Sequence, residues 1–388
     1  MEKDHCLNFG KRKEAGCFKI AETGETDMQE MIVTAREAGQ RLDKLLAKYL
    51  REAPKSFLYK MLRKKNITLN GKKAEGSEKL QEGDTVRIFF SPETLEKFTG
   101  GSLQKEAPAL FPESGGLSLA DTEIPSRNLE IVYEDDQVLF VNKPAGMLSQ
   151  KAAPLDLSLV EYVTAYLLSS GQLTREELMG FRPGICNRLD RNTSGLVAAG
   201  KTVAGLQQLS RLFHDRTMHK YYLCVVRGQI TEADYVEGYL KKQERMNQVE
   251  IFREPVKDGQ LIKTAYRPLC QGRNMTLLEV ELITGRSHQI RAHLASEGHP
   301  LAGDTKYGLP RFNDYFRKNY GLKHQLLHAY RMEFPRLEGA LEALSGKTVF
   351  AEVPEVFQKI LEREFQGCSL NCEKGNGFST RQKKQKRE

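Results

Sequence analysis

Tryptophan is absent from this 388-residue chain, so any stacking on a planar ligand falls to tyrosine, phenylalanine, histidine or arginine. No apolar run approaches the roughly 18 residues that would suggest a membrane span. No internal repeat appears, which excludes solenoids and propellers. The seven cysteines are Cys6, Cys17, Cys186, Cys224, Cys270, Cys368 and Cys372. Their number is odd, several fall in apolar runs, and no secretory leader pattern precedes them; the expectation is reduced thiols in a cytoplasmic protein. Cys368 and Cys372 lack a second pair at zinc-ligand spacing. His288, His293 and His299 lack a His-Glu-x-x-His frame, and Ser194 sits in Thr-Ser-Gly rather than a Gly-x-Ser-x-Gly elbow. Metal-centred and serine-hydrolase chemistry are therefore poor fits.

Positive charge is present, and unevenly. The chain carries a formal net charge of +8. Between Arg41 and Lys73 there are eleven Lys or Arg against Asp43 and Glu52, a local excess of nine. A solvated helix face is the plain explanation; so concentrated a stripe reads better as an RNA footprint, with Arg41, Lys60, Arg63, Lys64 and Lys65 as candidates.

The length suits two domains. Residues 1–28 are polar and aperiodic and read as a flexible extension. Leu42, Leu45, Leu46, Tyr49 and Leu50 recur at helical spacing. A second helix holds Leu58, Met61 and Leu62, with Ser56 as its expected cap. Ile67–Leu69, an Asn70-Gly71 turn and the strand Val86–Phe90 complete a module over 29–90. Residues 91–127, rich in Gly, Ser, Pro and Glu, read as a linker that lets two units grip RNA independently. Over 128–365, strands at Ile131–Tyr133, Val138–Asn142, Tyr221–Val226, Leu277–Ile283 and Leu326–Phe334 alternate with helices near Ser158–Leu168 and Val203–Phe213. Many strands with few helices imply an α+β fold. Residues 366–388 form a basic tail for which disorder is the default.

The most informative segment is Asn187-Arg188-Leu189-Asp190-Arg191-Asn192-Thr193-Ser194-Gly195-Leu196. One carboxylate lies between two guanidinium groups able to grip phosphates. The apolar run Leu196–Ala199 reads as a buried strand, which would place Asp190 on a loop held by a rigid core. Asp190 is then a nucleophile or base facing a polyanion, or else half of a structural ion pair. A hundred residues on comes Thr284-Gly285-Arg286-Ser287-His288-Gln289-Ile290-Arg291-Ala292-His293-Leu294, followed by Pro300-Leu301-Ala302-Gly303-Asp304-Thr305-Lys306-Tyr307-Gly308.

Together these segments resemble the RluA-type pseudouridine synthases. Those enzymes carry His-Arg-Leu-Asp-x-x-Thr-Ser-Gly-Leu, Gly-Arg-(Ser/Thr)-His-Gln-Ile-Arg-x-His-Leu and Pro-Leu-x-Gly-Asp-x-x-Tyr-Gly in this order, and a Lys-Pro-x-Gly turn such as Lys143–Gly146. The N-terminal module resembles an S4 RNA-binding domain, which often precedes the catalytic domain in that family. The resemblance implies a mixed, largely antiparallel sheet crossed by an active-site cleft. It places the catalytic aspartate at Asp190 and its paired arginine at Arg291. The family's Lys-x-Tyr selects Tyr222, not Tyr221, as the ring that stacks on uracil; without it, Tyr222 would read as a core aromatic. Arg188 is a candidate to fill the space left by a flipped uridine, Leu327 an apolar wall, and Arg286 and His288 structural or phosphate-facing. Cys186 reads as packing. Asn187 stands where the family has His; it still donates and accepts hydrogen bonds but does not titrate near neutrality.

The implied reaction is a redox-neutral isomerisation of uridine needing no cofactor or metal. Structured RNA, most of all large-subunit ribosomal RNA, is the expected partner of a monomer that engages no membrane. A transfer-RNA target and a non-catalytic, S4-containing RNA-binding or ribosome-assembly protein are the alternatives.

Overall fold

The computed structural model describes residues 28–99, 129–175, 177–243 and 248–366. The N-terminal extension as far as residue 27, most of the expected linker and the basic tail from 367 lie outside these residues.

In the N-terminal unit, Leu42, Leu45, Leu46 and Tyr49 form the buried stripe of α1 (Leu42–Tyr49). Helix α2 (Lys55–Arg63) buries Leu58, Met61 and Leu62. Ser56 does not cap it. The helix opens at Pro54, whose φ of −59° suits a helix start, and Ser56 lies within the first turn. Both helices pack on a sheet ordered β1-β4-β2-β3, comprising β1 (Met28–Ile32), β2 (Ile67–Leu69), β3 (Lys72–Lys73) and β4 (Thr85–Phe89). Asn70 and Gly71 join β2 to β3 with φ of 51° and 73°, positive at both places as a type I′ turn requires. The segment expected as a linker begins with α3 (Pro92–Thr99), whose Leu95 and Phe98 pack against the unit's core. Phe98 lies 4.5 Å from Phe57, ring to ring. The Gly- and Ser-rich composition of the whole segment hid this one helical turn pattern.

The C-terminal unit starts with β5 (Ile131–Glu134) and β6 (Val138–Lys143), then α4 (Leu159–Ser169), α5 (Glu177–Gly180), β7 (Gly184–Ile185), β8 (Ser194–Gly200) and α6 (Val203–Asp215). There follow β9 (His219–Arg227), β10 (Asp234–Gln243), β11 (Gln248–Phe252), β12 (Gln260–Gly272), β13 (Met275–Leu282), α7 (Gln289–Ser296), α8 (Pro310–Tyr320), β14 (Leu327–Glu333), β15 (Thr348–Phe350) and α9 (Glu355–Glu364). The sheet is ordered β11-β10-β12-β13-β9-β14-β8-β6-β5, with β15 beside β14 and β7 beside β8. Among these pairs only β14 with β8 runs parallel. Both faces are covered, which explains the near-continuous apolar runs. Leu139, Val141, Tyr222, Cys224 and Val280 point into one core; Val138 and Phe140, with Leu223 and Val225, feed cores on the other side. Strand alternation thus decides which tyrosine of Tyr221-Tyr222 joins which face.

Ser158 initiates α4 by donating from its amide and hydroxyl to Glu161 Oε2 at 2.9 and 2.7 Å. Thr202 caps α6 by accepting the Gly205 amide at 3.0 Å. Gly195, at φ +112°, lets β14 approach β8: a Cβ there would lie 2.2 Å from the Ala329 carbonyl oxygen.

The two units touch, contrary to the expectation of independent modules. Arg36 donates to the carbonyls of Lys201, at 3.2 Å, and Gln172, and pairs with Glu177 at 3.2 Å. Lys48 and Gln40 both reach the Gly180 carbonyl, at 3.1 and 3.4 Å. Glu37 packs so closely on Gly180 that a Cβ there would meet its carboxylate at 1.5 Å. These contacts span more than 130 residues of sequence, beyond the reach of local pattern.

Cys186 and Cys224 are free thiols, whereas Cys270 is disulfide-bonded, a departure from the expectation of reduced thiols. Scatter along a sequence does not say which sulfurs meet in space. No helix among the described residues is long and apolar enough to cross a membrane.

Candidate active site

Asp190 sits on the loop before β8, and that loop is tied down residue by residue. Ser149 Oγ accepts the Leu189 amide at 3.1 Å and donates to the Leu189 carbonyl at 2.8 Å. Thr193 N donates to the Asp190 carbonyl at 3.0 Å. Lys143, fully buried at the end of β6, donates to the carbonyls of Pro144, Met147 and Arg191 at 3.0, 2.9 and 3.2 Å. It thereby staples the Lys-Pro-x-Gly turn to the loop. Burial pushes its pKa down to about 7, with the Asp190 charge opposing the shift. Asn187 donates to the Leu196 carbonyl at 3.1 Å and accepts the Ala198 amide at 2.8 Å. Its amide is fully occupied in holding the loop to β8, a structural task that needs no titrating group.

Arg291 projects from α7 and is 5% exposed. Its NH1 donates to Asp190 Oδ2 at 2.8 Å; its Nε and NH2 grip Asp304 Oδ2 and Oδ1 at 2.7 and 2.9 Å. Desolvation opposes the guanidinium charge, but Asp304 and Asp190 outweigh it and raise the pKa. Asp304 is fully buried. Burial alone would push its carboxyl up; Arg291 and the amides of Lys306 and Tyr307 hold it below the ordinary range.

The turn into α7 is equally constrained. His288 adopts the left-handed conformation at φ 57°, a strained geometry that clusters at functional sites. Gln289 accepts from Thr284 Oγ1 and the Arg286 amide, and donates to the Lys263 carbonyl and Thr264 Oγ1. Tyr307 OH accepts the Val249 amide at 2.8 Å and lies 2.9 Å from His288 Nδ1. His288 Nε2 lies 3.8 Å from Asp190 Oδ2. Burial lowers the His288 pKa against the pull of Asp190, keeping the ring neutral near pH 7. His293 and His299 bond elsewhere, to Thr264 and the Arg227 carbonyl.

Asp190, His288 and Arg291 line a cleft of about 1210 Å³. Asp190, Tyr222, Arg291, Arg188, Arg286 and Leu327 all border it. Tyr222 comes from β9, opposite Val280 and Ala329 on the neighbouring strands, and is 5% exposed. Burial first, and the Asp190 charge second, raise its pKa. Its neighbour Tyr221 faces away, with Arg331 stacked 3.8 Å over its ring. Arg188 is exposed at the rim and makes no ion pair among the described residues. Lys151, Arg191, Arg216, Lys220 and Lys242 add further cations to the lining, against Asp258 and Asp190. Burial, with Arg216 adding to it, pushes Lys220 down to about 8.

Of the N-terminal candidates, Lys60, Arg63, Lys64 and Lys65 are exposed and unpaired among the described residues. Arg41 differs: its guanidinium is engaged by Asp43, Nε to Oδ1 and NH2 to Oδ2, both at 3.0 Å. Lys143, Asp304 and Tyr307 lie in the sequence motifs, but the motifs alone reveal no task for them at the site.

Comparison with known proteins identifies the family. The family described as RNA pseudouridylate synthase matches residues 137–296, and the S4 domain matches 40–86. Ribosomal large subunit pseudouridine synthase C of Vibrio cholerae is 32% identical over 320 residues, covering 82% of this chain and 92% of that one. The protein of the same name from Escherichia coli K12 is 32% identical over 311 residues, covering 78% and 87%. A solved structure of human RNA pseudouridylate synthase domain containing 4 aligns with a TM-score of 0.47 at 22% identity, over 60% of this chain and 92% of that one. With a fixed carboxylate–guanidinium pair in a cation-lined cleft and relatives matched over most of their length, the chain belongs to the RNA pseudouridylate synthase family and joins that isomerase to an S4 domain.

Proposed function

We propose that the protein converts chosen uridines of large-subunit ribosomal RNA to pseudouridine, with Asp190 as the catalytic carboxylate. The observation that carries this is the single hydrogen bond from buried Arg291 to Asp190 at 2.8 Å inside a cleft whose charged lining is mainly cationic. The two relatives named for the ribosomal large subunit support the target, and the S4 domain supports structured RNA as the partner.

The reaction breaks the bond from uracil N1 to ribose C1′, joins C1′ to C5, releases the C5 proton, and leaves N1 to take up a proton, so the product is an isomer of the substrate. It is redox-neutral, so the reading includes no cofactor. Asp190 either attacks C1′ or removes a ribose proton to give a glycal. Tyr222 stacks on the uracil; its raised pKa keeps the phenol protonated near neutrality, so it acts as a ring and hydrogen-bonding hydroxyl rather than as a phenolate base. Arg188 fills the space left when the uridine flips out of its helix. Arg286 holds phosphate and Leu327 walls the pocket. Lys60, Arg63, Lys64 and Lys65 supply sequence-independent attraction. The reading takes the enzyme as a cytoplasmic monomer.

Tritium release from RNA labelled at uridine C5 tests the reading, using large-subunit transcript, partly assembled particles and transfer RNA in parallel. Release from the ribosomal substrates is expected. Release from transfer RNA alone moves the target. Tight binding without release from any of them leaves a non-catalytic RNA-binding protein.

A further inference from the structure

Arg291 is shared unequally between two carboxylates. Its planar fork, the pair of N–H groups that matches a carboxylate face, is spent on Asp304 through Nε and NH2. One NH1 bond remains for Asp190, and it lands on Oδ2. Asp190 Oδ1 accepts no hydrogen bond from the described residues, while the side chain as a whole is 26% exposed to the cleft.

Asp304 is built to hold that arrangement. Besides the fork, its Oδ1 accepts the amides of Lys306 and Tyr307 at 2.8 and 3.1 Å. Asn313 donates to its carbonyl at 2.8 Å and accepts the Gly303 amide at 2.8 Å. Tyr307, the next link, lies 5.3 Å under the Arg291 guanidinium. Nothing in this cradle leaves the guanidinium free to rotate.

Consider the cleft without Asp304. Arg291 would turn its fork to the nearest carboxylate, Asp190, and tie up both oxygens with a full positive charge. With Asp304 present, two carboxylates share one guanidinium, so Asp190 keeps net negative charge and one open oxygen. We infer that Asp304 is a positioning residue for the isomerisation: by occupying the fork of Arg291, it reserves Asp190 Oδ1 for the substrate. This rests on the functional reading above and deepens it.

The test compares Asp304→Asn with wild type in single-turnover tritium release, with RNA affinity measured separately. The amide keeps the size and the acceptor for the two backbone N–H groups but removes the charge. A roughly hundredfold slower turnover is expected, the cost of misplacing one reacting group, with RNA affinity retained. A merely structural Asp304 would cost as much with Arg291 replaced as with it present. In the Arg291→Lys background the further loss from Asp304→Asn should be small, since an ammonium has no fork to divert.

Asp304→Glu covers the case in which the amide variant does not fold. It should turn over slowly while keeping RNA affinity, because the longer side chain keeps the charge but displaces the fork. A wild-type rate in folded Asp304→Asn would overturn the inference, as would a loss from Asp304→Asn in the Arg291→Lys background that matches the loss in wild type. No release by wild type from any RNA would overturn the functional reading and this inference with it.

Discussion

The molecule uses positive charge in two opposite ways. On the N-terminal unit, Lys60, Arg63, Lys64 and Lys65 stand in solvent without ion-pair partners among the described residues. In the cleft, Arg291 is buried and bonded to two carboxylates. Free surface cations attract a polyanion over distance, are screened by salt and tolerate sloppy geometry. A buried, forked cation attracts nothing from afar, but it fixes the position of a reacting carboxylate. Long-range attraction and the fixing of the carboxylate thus fall to different cations, and each should fail in its own way.

The largest effect should come from breaking the buried side. Arg291→Ala leaves the Asp304 carboxylate at zero exposure without its counter-charge, and removing one partner of a buried pair costs about 3–5 kcal/mol. Denaturant unfolding at neutral pH checks this. Lys143 gives a pH-dependent counterpart. Its folded pKa is about 7, against 10.5 ordinarily. Between those values the unfolded chain binds the extra proton, so this group makes stability rise with pH from about 7 to 10.5 and leaves its full penalty below 7. The slope is at most about 1.4 kcal/mol per pH unit. It should vanish in Lys143→Met, measured as the difference between two pH series.

Tyr222→Ala should lose the stacking contribution, about 1–3 kcal/mol of substrate or transition-state binding. Tyr222→Phe should retain most of it, because the ring is kept. A large defect in the phenylalanine variant would shift the role from ring to hydroxyl. The smallest effect belongs to the open side. Lys64→Ala should lower the slope of log affinity against log salt by about one, with turnover at saturating RNA unchanged. A change in turnover there would dissolve the division between the two regions.

Where a residue's task is local, the sequence announced it. Asn70-Gly71 read as a turn, Ser158 as the start of a helix, and Leu196–Ala199 as a buried strand. The family's Lys-x-Tyr singled out the tyrosine that borders the cleft. What escaped depends on distant partners. The Lys-Pro-x-Gly motif marks Lys143 but not its partners, and only the folded loops supply its three carbonyl acceptors. The Pro-Leu-x-Gly-Asp motif likewise marks Asp304 without saying that Arg291 lies beside it. The seam between the units hangs on Arg36, Lys48 and Gly180, none of which carries a motif. Ser56 was misread because a proline two residues earlier had already set the helix start.

Whether the cleft at Asp190 performs the isomerisation can be read by quantifying pseudouridine in digested large-subunit transcript after incubation with wild type or with Asp190→Asn. Pseudouridine is expected with wild type, none above background with the variant, and matching RNA affinity for the two. Equal pseudouridine from both proteins would remove Asp190 from the chemistry.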